Sequence, residues 1–331
     1  MSTWTEDLLG DGYERRTLEL GPDPDGEGRV TAVLVRRTPP AEVRGAVLYV
    51  HGFSDYFFQT AMADFFTERG FAFHALDLRK CGRARVPGQT AHYAADLSRY
   101  DVELDQSLAL IAQEHPGTPV TLVAHSTGGL ILPLYLHRRR PPQVKGLVLN
   151  SPWFDMQGRP WVRGPGTWLI RAVAKTSPLR VFAVGPSPYG GTLHISGTGE
   201  WDFDLALKPL NGFPATAGWL NAIRRGHARL HRGLDIGVPS LVLRSDKSDF
   251  TPVYSEASDR ADGVLDVRQI ARWAGCLGGE TTVVPIEDAR HDVFLSLPDV
   301  RVKAYDVVAD WLDRHPALRT GAQTHEQPGI S

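Results

Sequence analysis

Ser126 stands in the pentapeptide Ala124-His125-Ser126-Thr127-Gly128, directly after the apolar run Val120-Thr121-Leu122-Val123 and before the stretch Gly129-Leu130-Ile131-Leu132-Pro133-Leu134-Tyr135-Leu136. That placement predicts a sharp strand-to-helix turn, which pushes a serine hydroxyl clear of the backbone where it can attack an electrophile. Small residues two places before and after the serine let strand and helix approach. Here they are Ala124 and Gly128, so the first is one methyl group larger than the glycine such turns usually carry. A serine hydroxyl holds its proton too tightly to act alone, and needs a base within hydrogen-bond reach and a carboxylate to orient that base. His291 is the expected base, because it follows the strand-like run from Thr281 to Ile286 and precedes the last helical stretch. Four aspartates between Leu241-Val242-Leu243 and His291 could supply the acid: Asp246, Asp249, Asp262 and Asp266. The first two follow that strand at once, Asp262 opens Asp262-Gly263-Val264-Leu265-Asp266-Val267 ahead of a helix, and Asp266 could simply cap that helix.

A tetrahedral intermediate needs two backbone donors aimed at its oxyanion. The apolar strand Ala46-Val47-Leu48-Tyr49-Val50 ends in His51-Gly52-Phe53-Ser54-Asp55-Tyr56-Phe57, so the expected donors are the amides of Phe53 and of Thr127, the residue after the serine. Gly52 leaves the loop backbone free to present its amide, and His51 is expected to brace the loop by hydrogen bonding. No cofactor or metal is called for. His194, Glu200, Asp202 and Asp204 match no ligand spacing and read as structural or solvated.

These residues must be positioned by strands that alternate with helices. Tyr13 to Leu20 and Arg29 to Arg37 flank a Pro/Gly/Asp turn and predict an antiparallel hairpin at a sheet edge. Ala46 to Val50, Phe71 to Leu76, Val120 to Val123, Val144 to Leu149, Ser240 to Leu243 and Thr281 to Ile286 read as buried strands. Helices are expected near 61–69, 94–114, 267–276 and 300–313. Near-continuous apolar strands between helices argue for a mostly parallel sheet covered on both faces, with ligands at its carboxyl edge. From Ser151 to Gly237 the alternation stops in a segment rich in Trp, Pro and Gly, holding Trp153, Trp161, Trp168, Trp201 and Trp219. We expect residues 1–150 and 238–318 to form an α/β core, 151–237 an inserted cap whose aromatic residues pack it or line an apolar pocket, and 319–331 a frayed tail.

The 331 residues carry 42% hydrophobic content and a formal charge of −2, which gives no general attraction to nucleic acid. The run Arg138-Arg139-Arg140 reads as the cationic end of a helix. Cys81 and Cys276, the two cysteines, sit in no zinc or disulfide pattern, which fits a reducing cytoplasm. No stretch approaches the roughly 20 apolar residues of a membrane helix.

The order His-Gly loop, nucleophile, acid, histidine matches that of the α/β-hydrolases. The chain resembles the branch of that superfamily containing monoglyceride lipases, lysophospholipases and serine-aminopeptidase-like hydrolases. The resemblance covers about 46–313 and is carried by His51-Gly52-Phe53-Ser54-Asp55-Tyr56, Ala75-Leu76-Asp77-Leu78-Arg79 with Gly82, His125-Ser126-Thr127-Gly128-Gly129 and Ala289-Arg290-His291-Asp292. It implies an α/β-hydrolase fold with a lid, and a serine hydrolase that cleaves a small carboxylic ester, acylglycerol or lysophospholipid-like, through an acyl-enzyme. It also favours Asp262 as the acid, since that residue is followed by an apolar pair and a helix and stands 29 positions before His291. A peptidase or amidase of the same fold, and a slow small-molecule-binding relative, are the alternative readings.

Overall fold

A pleated strand turns successive side chains to opposite faces, and a strand apolar at every position therefore needs cover on both. The computed structural model describes residues 3–157, 166–182 and 187–320. Its strands are β1 (Thr5–Glu6), β2 (Tyr13–Pro22), β3 (Arg29–Arg37), β4 (Gly45–Val50), β5 (Phe71–Asp77), β6 (Val120–His125), β7 (Val144–Asn150), β8 (Val181–Phe182), β9 (Ala215–Thr216), β10 (Ser240–Ser245) and β11 (Thr281–Ile286). Its helices are α1 (Thr60–Thr67), α2 (Asp101–Glu114), α3 (Gly128–Arg139), α4 (Gly166–Thr176), α5 (Tyr189–Leu193), α6 (Ala217–Leu230), α7 (Val267–Ala274) and α8 (Pro298–Arg314).

Nine strands form one sheet in the order β1-β2-β3-β5-β4-β6-β7-β10-β11. Pairing is parallel from β5 through β11, and antiparallel where β1, β2 and β3 meet and where β3 meets β5. In β4, Ala46, Leu48 and Val50 join the layer of α2, α3, α6 and α7, while Val47 and Tyr49 join the layer of α1 and α8. The fold class and the edge hairpin are those expected from the strand pattern.

The helix expected over 94–114 begins as a 3-10 turn at Leu97–Tyr100, because the Asp96 carboxylate accepts the Ser98 amide at 2.9 Å and caps that turn before α2 starts. The basic run at the C-terminal end of α3 is held by carboxylates, Arg138 on Asp101, Arg139 on Asp105 and Arg140 on Asp235. Between β7 and β10 lie α4, the antiparallel pair β8-β9, α5 and α6. The last of these, α6, packs Trp219, Ala222, Ile223 and Leu230 into the same apolar layer as Leu130 and Leu134 of α3. The expected frayed tail falls mostly outside the described residues. Among the described residues no helix is long and apolar enough to cross a membrane.

Candidate active site

β6 ends one residue before Ser126 and α3 begins two residues after it, and the serine turns the corner with φ 50°. Left-handed backbone at a non-glycine residue costs on the order of 1–3 kcal/mol. The surroundings hold it in place: the Ser126 amide donates to the Asn150 carbonyl at 2.9 Å, and the Ser126 carbonyl accepts from the amides of Gly129 and Trp153, both at 2.9 Å. A Cβ on Gly128 would come within 2.7 Å of the carbonyl oxygens of His51 and Val50, so this position has no room for a side chain. The extra methyl of Ala124 is taken up in the apolar layer on the α2–α3 side.

His291 Nδ1 lies 2.9 Å from Asp262 Oδ2, with both residues buried. The other oxygen, Asp262 Oδ1, accepts the amides of Val264 at 2.8 Å and Leu265 at 2.7 Å. The Asp262 backbone is fixed as well, donating to the Lys247 carbonyl and accepting from the Asp249 amide, each at 3.0 Å. The excursion after β10 thus folds back on itself and returns Asp262 to the carboxyl edge of the sheet. The other three aspartates are engaged elsewhere. Asp246 accepts the Asp288 amide at 2.9 Å, Asp249 accepts the Thr251 amide at 3.0 Å, and Asp266 caps α7 through the Arg268 amide at 3.1 Å.

Asn150 ties the serine turn to the histidine loop. Its carbonyl takes the Ser126 amide, its side-chain amide donates to Asp292 Oδ1 at 2.7 Å, and its Oδ1 accepts the Val293 amide at 3.1 Å. The His291 ring packs against His125, centroids 4.8 Å apart, and against Tyr189 of α5 at 5.6 Å. The Tyr189 hydroxyl oxygen also accepts the Asp292 amide at 3.1 Å.

The His-Gly loop lies directly on the serine turn. A Cβ on Gly52 would sit 3.0 Å from Ser126 Cβ, so the bare glycine permits the approach that brings Phe53 alongside. His51 Nε2 accepts the Leu78 amide at 3.2 Å, which leaves the proton on Nδ1, 2.7 Å from the Gly52 carbonyl. The ring therefore braces the loop. Ser54 follows with φ 55°, and its Oγ accepts the amide of Phe213 at 2.6 Å. Asp55 is buried between Lys208 Nζ, 2.6 Å from Oδ1, and His125 Nδ1, 3.3 Å from Oδ2. Burial alone would raise this carboxyl, but the Lys208 ammonium and His125 outweigh it and hold the group well below the usual carboxylate range. Lys208 lies between β7 and β10, so one buried ion pair joins that segment to the loop.

Of the five tryptophans singled out above, Trp219 stacks on Phe53 with centroids 4.1 Å apart, and Trp153 meets Trp219 at 5.7 Å. Trp168 is 75% exposed, Trp201 lies under the Arg301 guanidinium, and Trp161 is outside the described residues. His194 is satisfied by Ser196 Oγ and the Phe203 carbonyl, Glu200 pairs with Arg301, and Asp204 Oδ1 accepts the Ala206 amide. Cys81 and Cys276 are free thiols.

Sequence reasoning did not assign Asp55, His125 or Asp292, although all three stand inside the motifs that carry Phe53, Ser126 and His291. Lys208 and Tyr189 had no signal, because the stretches around them between β7 and β10 carry no clear periodicity.

A nine-stranded, mostly parallel sheet with helices on both faces and a serine on the strand-to-helix turn after β6 define an α/β-hydrolase. The family model for serine aminopeptidase S33 matches residues 41–294, and the chain belongs to that family. A monoacylglycerol lipase of Mycolicibacterium smegmatis is 31% identical over 128 residues, 38% of this chain and 44% of that enzyme. The alignment thus spans less than half of the curated relative. A soluble variant of the Saccharomyces cerevisiae monoglyceride lipase, solved with a substrate analogue, superposes with a TM-score of 0.64 at 17% identity, covering 95% of both chains. A carboxyl esterase from Bacillus coagulans gives a TM-score of 0.66 at 15% identity, covering 91% of this chain and 99% of the other. A monoacylglycerol lipase of Paleococcus ferrophilus gives 0.57 at 17%, covering 92% and 99%.

Proposed function

We propose that the protein is a serine hydrolase of carboxylic esters, working through an acyl-enzyme. The observation that carries this reading is the pairing of His291 with Asp262 at 2.9 Å, at the same carboxyl edge of the sheet where Ser126 is held at φ 50°. A carboxylate accepts, so Nδ1 of His291 carries the hydrogen and Nε2 keeps the lone pair a general base uses. Ser126 attacks the ester carbonyl and His291 takes its proton. The amides of Phe53 and Thr127 bind the oxyanion, and His291 returns the proton to the departing alcohol. Water then repeats the sequence on the acyl-enzyme. Asp262 holds the imidazole and stabilises its charged form.

The substrate in this reading has an apolar acyl part, acylglycerol or lysophospholipid-like. The stack of Phe53, Trp219 and Trp153 beside the serine turn supports an apolar acyl site, and the partial match to a monoacylglycerol lipase agrees with it. The insertion over 151–237 acts as the cap of that site, supplying Trp153, Tyr189, Lys208 and Trp219. No cofactor or metal takes part in the reaction.

Hydrolysis of p-nitrophenyl esters from acetate to palmitate, compared between wild type and Ser126→Ala, tests the proposal. Turnover should fall by about 10⁶-fold in the variant, and the preferred chain length sizes the acyl pocket. Turnover that survives the substitution, or none on any ester, would sink it.

A further inference from the structure

His74 is an ionisable side chain on a strand that is otherwise apolar from Phe71 to Leu76, and it is 2% exposed. Neither ring nitrogen has a hydrogen-bond partner, which is destabilising for a buried polar ring unless something else satisfies it. Its Nε2 is 3.5 Å from Glu114 Oε2, without hydrogen-bond geometry, and its ring meets that of His115 edge-on with centroids 6.0 Å apart. One ligand atom from each of His74, Glu114 and His115 lies within 4.8 Å of the other two. In a tetrahedral site with nitrogen and oxygen ligands at about 2.0–2.2 Å, neighbouring ligand atoms stand about 3.3–3.5 Å apart. The His74–Glu114 spacing already meets this. His115 is half-buried at the C-terminal end of α2, on non-helical backbone.

The second oxygen of Glu114 is occupied in the way a ligating carboxylate requires. Oε1 accepts Trp4 Nε1 at 2.8 Å and an Arg36 nitrogen at 2.9 Å, fixing the group with Oε2 turned to His74. The Arg36 charge does not oppose a cation here, because Nε and a second nitrogen of the same guanidinium reach Glu14 at 2.9 and 2.7 Å. One guanidinium against two carboxylates leaves a negative charge over. A cavity of about 250 Å³, lined by these three residues with Arg36, Arg37 and Pro39, leaves room for a bound ion and its remaining water.

We infer that His74, Glu114 and His115 bind a divalent first-row transition cation of the zinc type where the middle of β5 meets the C-terminal end of α2. Two imidazoles and one carboxylate without sulfur suit zinc, cobalt or nickel rather than calcium or magnesium. The position is structural: α2 ends there just before β6 starts, whereas Ser126 lies beyond the other end of β6. The ion clamps the end of α2 to β5.

The test uses the full chain, stripped with a chelator and titrated with cobalt(II) chloride at pH 7.5. Visible d–d absorption reports binding, zinc sulfate competes, and thermal unfolding follows both. One equivalent of cobalt should bind at micromolar concentration, be displaced by zinc, and raise the melting temperature. His115→Ala and Glu114→Gln should each weaken binding by about tenfold or more, while ester hydrolysis stays at the wild-type rate as a control for folding. Absence of saturable cobalt binding to the wild type up to millimolar concentration would reduce the cluster to a His74–Glu114 ion pair. Equal binding by the wild type and both variants would place the ion elsewhere, and either result overturns the inference.

Discussion

At the scale of single residues the proposed mechanism rests on the contact between His291 and Asp262. An acid that only orients a base can be changed without disturbing the nucleophile, and the loss of the correct imidazole tautomer is what its removal reads. Asp262→Asn should lower kcat/KM for a short-chain ester by about 10⁴-fold. Asp246→Asn, Asp249→Asn and Asp266→Asn should stay near wild type, because their carboxylates serve the Asp288 amide, the Thr251 amide and the α7 N-cap. Steady-state kinetics on the four variants decides it. A large loss confined to one of the other three would move the acid away from Asp262.

At the scale of elements, the segment between β7 and β10 is tied to the His-Gly loop by the Lys208–Asp55 ion pair, by the Phe213 amide to Ser54 Oγ and by the Asp204 amide to the Tyr56 hydroxyl oxygen. The ion pair is the most consequential, since both partners are buried and the Lys208 ammonium also sits over the Phe58 and Phe203 rings at 5.5 and 5.6 Å. Lys208→Met leaves the buried Asp55 carboxylate with His125 alone and should cost about 3–5 kcal/mol of stability. Adding Asp55→Asn removes the stranded charge and should return part of that loss, which urea unfolding of the single and double variants measures. If the loop carries an oxyanion amide, Lys208→Met should also lower kcat more than it changes KM. A double variant no more stable than Lys208→Met would show that the pair is not coupled.

At the scale of the whole molecule, several histidines are buried away from their ordinary titration range. Burial, opposed by the bond from Nε2 to the Trp153 carbonyl at 2.9 Å, pulls His227 down to about 3. His92, His115 and His231 shift in the same direction, each chiefly through burial. A histidine kept neutral in the fold binds fewer protons than its unfolded counterpart, whose pKa is about 6.5. Its contribution to stability is therefore whole above about pH 6.5 and is lost as pH falls from there towards the folded value. The melting temperature should drop between pH 7 and pH 5, before most carboxylates titrate. His227→Gln, which keeps a donor for the Trp153 carbonyl, should flatten that slope, and thermal unfolding across the pH range checks it. An unchanged slope would mean that His227 is protonated in the fold.

The α/β architecture was legible in the chain because its signals are local. An all-apolar strand such as Ala46 to Val50 needs cover on both faces wherever it lies, and a serine between Val120-Thr121-Leu122-Val123 and an apolar helix turns the same corner in any such sheet. Ser126, His291 and the Phe53 loop stand in short motifs for the same reason. Which of the four aspartates meets His291 was not local, since it rests on how the excursion after β10 folds back to pair Asp262 with Lys247 and Asp249. Lys208 and Tyr189 reach the candidate site from stretches between β7 and β10 that carry no clear period. His74 and Glu114 are 40 positions apart in sequence and meet because β5 and the end of α2 pack together. Periodicity follows from backbone geometry and side-chain polarity, and so is written in the sequence. The meeting of distant side chains depends on loop paths and buried charge, and only the tertiary structure decides it.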